Sequence, residues 1–337
     1  MGHISKFLQC KPNLFFYSII GWNLSRSMVF LLGKLHFLIN YRDRRRITRA
    51  VRQAVGSGMS RRKFSKLLSR VLDGILSHYY EKLYIAFEEA AKATHFIKKT
   101  IAPDGLQVLQ DKICKGKGVL MVTGHYGAIE YIPVFLAVNG FPVTIIARFK
   151  TEQLKKKVFK QAETYGVRLI DADCEDNVMK TAARELKENR ILVTECDEME
   201  EWRPSPRRFI SFLGRVTGLD RTINVLHKRT GAEVVFSVIH RHSLDRYSFI
   251  VHPLEDGPGE GAGSRLGCVG SEVLKTLEGY ILRYPEQWYQ WKNYFSIGAS
   301  VREDAGLLGE MKLTFQSPAG NYFPERLFGR LSRQLEI

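Results

Sequence analysis

The chain has 337 residues, with 51 Lys and Arg against 35 Asp and Glu, for a formal net charge of +16. That length and a hydrophobic content of 45% exclude wholesale disorder and fit one large α/β domain, or one domain with appendages. Five scattered cysteines without a C-x-x-C pair argue against a disulfide framework or a Cys-ligated zinc site, and fit a reducing compartment.

The N-terminal stretch to residue 41 is apolar, from Leu14 through Trp22 and from Met28 to Tyr41. Arg26, Lys34 and His36 interrupt it. A spanning helix wants about 20 largely uncharged residues, so this segment is expected to lie in a bilayer interface rather than cross it. Tyr17, Trp22 and Tyr41 would then sit near the headgroups, with the cations snorkelling. The competing reading is a helix packed on the protein's own core. No small-residue cleavage site follows, which argues against a secretory signal.

Residues 42–70 carry eleven cations (Arg42, Arg44, Arg45, Arg46, Arg49, Arg52, Arg61, Arg62, Lys63, Lys66 and Arg70) and one acid, Asp43. Such a block suits a polyanion, either anionic lipid headgroups or nucleic acid, or it is a solvated helix face. No aromatic RNA-binding signature or zinc spacing supports nucleic acid, so none is expected as a partner. An apolar segment followed by cations is the order of a cytoplasmic-side membrane anchor, which makes anionic membrane lipid the expected partner.

Helical spacing continues through Leu67, Leu68, Val71, Leu72, Ile75 and Leu76, and again from Glu81 to about Lys99. From residue 116 the pattern changes. Gly118–Thr123, Val143–Ala147, Val167–Ile170, Ile191–Thr194, Glu233–Ile239 and Tyr247–Val251 read as strands. Residues 126–138, 151–165, 175–188, 217–229 and 271–284 read as helices, and Gly257–Gly270 as a loop. Alternating strands and helices predict an α/β fold: a mostly parallel central sheet flanked by helices, with a helical, basic N-terminal region. The boundaries drawn are an apolar membrane-associating segment 1–41, a basic helical region 42–100, an α/β core 101–300 and a basic amphipathic tail 301–337.

Active sites of such sheets gather at the carboxyl ends of strands. The first strand ends in Thr123-Gly124-His125-Tyr126-Gly127-Ala128-Ile129-Glu130. Glycines on both sides let the backbone turn sharply around His125. A neutral imidazole takes a proton near neutral pH, and a carboxylate beside it fixes its tautomer. His125 and Glu130 are therefore the candidate catalytic pair, provided His125 lies before the helix and reaches back over it. The same spacing recurs at His240 and Asp245, where a polar hairpin is expected. No G-x-S-x-G or prominent Ser or Cys nucleophile accompanies His125, so the nucleophile is expected to come from the substrate. Lys115-Gly-Lys-Gly118 lacks the spacing of a phosphate-binding loop. The cluster Trp288, Tyr289, Trp291, Tyr294 and Phe295 reads as core or as the wall of an acyl-chain tunnel.

The run Gly124-His125-Tyr-Gly-Ala-Ile-Glu130, with Ala147-Arg148 after the second strand, resembles the lysophospholipid acyltransferase superfamily. The bacterial lipid A biosynthesis (late) acyltransferases are the most similar branch. Thr194-Glu-Cys-Asp197-Glu198, Phe209–Gly214, Arg229–Ala232 and Pro285-Glu-Gln-Trp-Tyr-Gln-Trp291 follow in that family's order. The family's Asp-Gln pair reads Asp197-Glu198 here, and Lys292-Asn293-Tyr294 stands where it usually shows His and Arg. The resemblance implies transfer of a fatty acyl group from acyl-carrier protein or acyl-CoA to a hydroxyl or amine of a membrane lipid. The acceptor would be of lipid A type or a lysophospholipid, and the place the cytoplasmic face of a bacterial inner membrane. His125 would be the general base, Glu130 its orienting partner, Arg148 a phosphate ligand, and Asp197 part of the polar site. No cofactor or metal is implied. The alternatives are an acyl thioester or lipid hydrolase on the same fold, and a basic nucleic-acid-binding protein.

Overall fold

The computed structural model describes residues 8, 11–149, 152–199, 202–254 and 269–298. The tail 301–337 and nearly all of the glycine-rich stretch from 257 lie outside the described residues. Four helices come first: α1 (Lys11–Ile39), α2 (Tyr41–Ala54), α3 (Arg61–Phe87) and α4 (Ala90–Thr100). Then follow β1 (Ile101–Ala102), α5 (Leu106–Ile113), β2 (Val119–Thr123), α6 (Ile132–Val138), β3 (Val143–Ala147), α7 (Glu152–Tyr165), β4 (Arg168–Asp171), α8 (Val178–Lys187) and β5 (Ile191–Glu195). The hairpin β6 (Pro204–Phe212) and β7 (Arg215–Asp220), then α9 (Thr222–Thr230), β8 (Glu233–Arg241), β9 (Tyr247–Pro253) and α10 (Val269–Arg283), complete the order.

The main sheet has seven strands in the order β1-β9-β8-β2-β5-β3-β4. Every neighbouring pair is parallel except β8 and β9, which are joined by a tight connection. The expected mostly parallel α/β sheet is therefore present. Strand β2 lies between β5 and β8, and all five of its residues are buried. A continuous run of Val, Leu, Met and Val is what a strand covered on both faces requires.

Helix α1 is kinked at Gly21, whose φ of 72° is open to glycine at little cost. Tyr17 and Trp22, expected at the headgroups, are instead buried. Trp22 packs on Tyr80 and Tyr84 of α3, and the Tyr80 hydroxyl donates to its carbonyl. The opposite face of α1 stays exposed, with Leu24, Leu31, Leu35, Leu38 and Ile39, and so does Tyr41. No helix among the described residues is long and apolar enough to cross a membrane.

Two local expectations are corrected. The helix expected over 126–138 begins only at Ile132, because residues 124–128 run against the chain at 287–289. The Gly127 amide donates to the Gln287 carbonyl, and Tyr126 bridges Trp288. The helix expected over 217–229 begins at Thr222, because residues up to Asp220 belong to β7. The Asp220 carboxylate accepts from the Thr222 amide and hydroxyl, which sets the helix start. Strands β6 and β7 turn through Leu213 and Gly214, both at positive φ, the geometry of a two-residue type I′ turn.

Candidate active site

The site grows out of parallel pairing. Thr123 at the end of β2 lies opposite Glu195 at the end of β5. Beyond the strands the chains stay together, since the Cys196 amide donates to the Thr123 carbonyl. Two residues past each paired position stand His125 and Asp197.

Their contact is close. His125 Nδ1 lies 2.8 Å from Asp197 Oδ1. The His125 main-chain amide donates to the same carboxylate, 3.0 Å from Oδ1 and 3.1 Å from Oδ2. Trp288 Nε1 donates to Oδ2 at 2.7 Å. Asp197 is buried and accepts all three bonds. A carboxylate offers no proton, so Nδ1 carries one and Nε2 is left as the working nitrogen. Burial alone would lower the His125 pKa. The charge and hydrogen bond of Asp197, with the hydrogen bond of Glu198 and the charge of Glu195, outweigh it and raise the pKa well above 6.5.

Gly127 makes the loop possible. Its φ is 59°, and a Cβ there would meet the Ile239 carbonyl oxygen at 2.0 Å. The segment after α10 clasps this loop from outside. The Tyr289 amide donates to the His125 carbonyl, and the Tyr289 ring stands edge-on to the imidazole with centroids 4.9 Å apart. Trp288, Trp291 and Tyr294 are fully buried, which decides for them in favour of core. Trp288 does more than fill space, because its indole fixes Asp197.

Glu130 is not the partner of His125. It sits on a short 3-10 turn, and its carboxylate lies 3.2 Å from Lys82 Nζ and 3.6 Å from His78 Nε2, both on α3. The expected reach fails because residues 124–128 form a bend and a turn, with Gly127 at a φ of 59°, and not a helix, so Glu130 enters from another direction. Burial, with Lys82, His125 and Arg241 nearby, holds His78 neutral by lowering its pKa well below 6.5. The His78 ring stacks on Tyr289 at 3.4 Å between centroids. Glu130 thus supports the wall behind the His125 ring instead of touching it.

Arg148 follows β3 at the same carboxyl edge of the sheet and is half-exposed. Its Nε donates to Asp173 Oδ1 at 3.0 Å. The structure does not bring it into contact with His125 or Asp197. His240, expected in a surface hairpin, is buried; its Nδ1 lies 2.8 Å from the Tyr126 hydroxyl. Burial and the neighbours His242, Arg241 and Arg283 lower its pKa to about 3. Asp245 bonds Ser243 instead.

One more side chain reaches the working nitrogen. Glu198 Oε2 lies 3.1 Å from His125 Nε2. Sequence reasoning gave Glu198 no role, read Trp288 only as core or tunnel wall, and missed His78 and Lys82 altogether. Asp197 was expected in the polar part of the site, but the sequence did not show it as the partner of His125. The aromatic cluster was visible in the sequence, but nothing local showed that it clasps the His125 loop.

An imidazole held by a buried carboxylate at a sheet edge suits proton abstraction from a nucleophile. A family model described as bacterial lipid A biosynthesis acyltransferase matches residues 26–295. This chain belongs to that family. A search of curated proteins finds no match. Membership in the lipid A biosynthesis acyltransferases supports an acyltransferase activity. The match begins within α1 and takes in His125, Asp197 and the Trp288 clasp.

Proposed function

We propose that the protein moves a fatty acyl group from an acyl thioester, on acyl-carrier protein or coenzyme A, to a hydroxyl or amine of a membrane lipid of lipid A or lysophospholipid type. The observation that carries this reading is the 2.8 Å contact of His125 Nδ1 with buried Asp197. It fixes the tautomer and leaves Nε2 as the nitrogen that would act as general base. The acceptor gives its proton to Nε2 as its oxygen or nitrogen attacks the thioester carbonyl. The C–S bond then breaks, and the leaving thiolate takes the proton from the imidazolium. Asp197 balances the imidazolium charge between those steps, as the carboxylate of a hydrolase triad does.

Arg148, at the same sheet edge, would take a phosphate of the acceptor or donor by exchanging its bond to Asp173 for one of higher charge. The site of action would be the cytoplasmic face of a bacterial inner membrane. The exposed apolar face of α1 and the exposed arginines of α2 support that location.

The test uses purified full-length protein, a radiolabelled acyl thioester and a bacterial total lipid extract in mixed micelles. Label appearing in a lipid product with wild type, and its loss in His125→Ala, is the expected result. Release of free fatty acid alone, with lipid acceptors present, would favour hydrolysis and overturn transfer.

A further inference from the structure

The β6–β7 hairpin is a two-stranded ribbon outside the main sheet. Alternation puts Ile210, Phe212, Arg215 and Thr217 on its inner face, and all four are buried. Phe212 there stands edge-on to Trp288, the residue that holds Asp197. The outer face carries Phe209, Ser211 and Val216, with Phe209 52% and Val216 38% exposed. One exposed apolar side chain is ordinary. Its setting here is not, because from Trp202 to Leu219 the chain has four arginines and no acid. Arg207 and Arg208 directly precede Phe209 and are exposed, as is Arg203.

The edges of the ribbon are closed to another strand. Pro204 and Pro206 bring no amide to β6. Lys275 Nζ donates to the Ser211 carbonyl at 2.6 Å, and Glu278 accepts from the Leu213 amide at the turn. Residues 295–298 cover β7. Arg215 donates to the Ile297 carbonyl at 2.8 Å and to the Phe295 carbonyl at 3.3 Å, and a Cβ on Gly298 would meet the Val216 carbonyl oxygen at 2.0 Å. What stays open is a face with an apolar centre and cations beside it. The covering segment also leads to the basic helix α2. Lys292 Nζ donates to Asp43 Oδ2 at 2.7 Å. From Lys292 to Ile297, along the 3-10 helix Gln290–Ser296, is about 10 Å at roughly 2 Å per residue. One short segment thus holds the hairpin at one end and the start of α2, with exposed Arg42, Arg44 and Arg45, at the other.

We propose that the β6–β7 hairpin is a second point of membrane contact. It seats Phe209 and Val216 at the boundary of headgroups and acyl chains, with Arg203, Arg207 and Arg208 on lipid phosphates. This rests on the membrane location in the reading above and adds to it an element beyond α1 and α2. A ring flanked by arginines suits that boundary, since the ring leaves water while the guanidinium groups stay hydrated and reach phosphate oxygens. Two cationic clusters on separate elements, joined by one short segment, suit a broad anionic surface that meets both at once. Because Phe212 on the inner face touches Trp288, contact at the outer face brings the His125 site to the surface where lipid acceptors lie.

The experiment uses full-length protein and vesicles of phosphatidylcholine, with or without phosphatidylglycerol. Phe209→Ser should weaken co-sedimentation with both kinds of vesicle about tenfold, the effect of keeping one large apolar side chain in water. Arg207→Gln with Arg208→Gln should weaken binding to the anionic vesicles about thirtyfold and leave binding to the neutral ones unchanged. Phe209→Trp places an indole at the expected depth. Its emission, after subtraction of the wild-type signal, should be quenched by lipids brominated on their acyl chains. That readout keeps the proposal testable if Phe209→Ser folds poorly. Wild-type binding that neither change weakens, with an unquenched indole, would overturn contact by the hairpin and leave the membrane location standing. Weaker capture of an acidic acyl-carrier protein by the arginine variant, with vesicle binding unchanged, would make the hairpin a protein dock and overturn the proposal as well. No binding of wild type to either vesicle would overturn the membrane location and this proposal with it.

Discussion

His125 and Asp197 are held together by the register of two parallel strands and not by closeness in sequence. Thr123 pairs with Glu195, and the same offset continues past the sheet to the imidazole and its carboxylate. Seventy-two residues separate them, yet the two strand ends deliver them as neighbours. Glu130, five positions from His125 in the chain, is delivered to α3.

That difference separates two substitutions. Asp197→Asn keeps the shape but loses the charge that supports an imidazolium, and it permits the wrong tautomer. The expected loss in kcat is on the order of 10²- to 10⁴-fold, the range for impaired base catalysis. Glu130→Gln leaves the bonds of His125 in place and should cost far less in kcat. Steady-state rates of the two purified variants check this, and a larger loss in Glu130→Gln would restore Glu130 as the orienting group.

The ionisation of His125 predicts a pH profile with two opposite signs. Burial opposes the charged ring, but Asp197, Glu198 and Glu195 outweigh it, so the folded pKa lies well above 6.5. His78, beside it, stays neutral and adds no charge. A base must be unprotonated, so kcat/KM should rise with pH on the alkaline side of neutrality. The same shift stabilises the folded protein fully below the unfolded histidine value, and that contribution fades as pH rises through the folded value. The unfolding temperature should therefore decline over the range where activity climbs. Glu198→Gln removes one charge favouring the imidazolium and should move the activity limb to lower pH. An activity limb centred at or below 6.5 in wild type would contradict the geometry.

Strand identities at β2, β3, β4, β5, β8 and β9 were legible because buried parallel strands read as short apolar runs. His125 was legible from its flanking glycines at a strand end. Its partner was not, because sequence shows where strands end and not which neighbours pair, and only the β2–β5 register brings Asp197 in. The spacing to Glu130 misled because it presumed a helix where the backbone bends and turns against Gln287 and Trp288. The β6–β7 hairpin was missed for want of weight on Leu213-Gly214, a two-residue turn between runs of alternating side chains. Trp22 and Tyr17 were read as interfacial because composition cannot say which face of an apolar helix meets α3.

A buried ion pair ties the helical layer to the loop that carries His125. Arg241 on β8 meets Glu81 on α3 in two bonds of 2.7 Å, and its Nη2 also donates to the Gly127 carbonyl at 3.0 Å. Both side chains are nearly excluded from water, at 10% and 1% exposure. Removing one partner strands a charge, so Glu81→Leu or Arg241→Met alone should destabilise the fold by about 3–5 kcal/mol. The double variant should lose much less than the sum, since the penalty is the unpaired charge and not the missing attraction. Denaturant unfolding of the three variants measures the coupling, and simple additivity would show that the pair is not acting as a unit.

The exposed face of α1 makes the last prediction. Leu24, Leu31, Leu35 and Leu38 are spaced by seven, four and three residues, which sets them along one side of a helix. Burying one such side chain in a bilayer is worth about 1.5–3 kcal/mol. Exposed Arg42, Arg44, Arg45 and Arg49 follow on α2, and each adds about 1 kcal/mol near an anionic surface. Full-length protein should co-sediment with vesicles containing phosphatidylglycerol and be partly released by salt. Leu31→Ser with Leu35→Ser should weaken that binding by at least about tenfold, since every 1.4 kcal/mol is a factor of ten. The leucines lie on the face turned away from α3, so the unfolding temperature should hardly change. Equal binding of the variant and wild type, or no binding of wild type to anionic vesicles, would remove α1 from the membrane-facing surface.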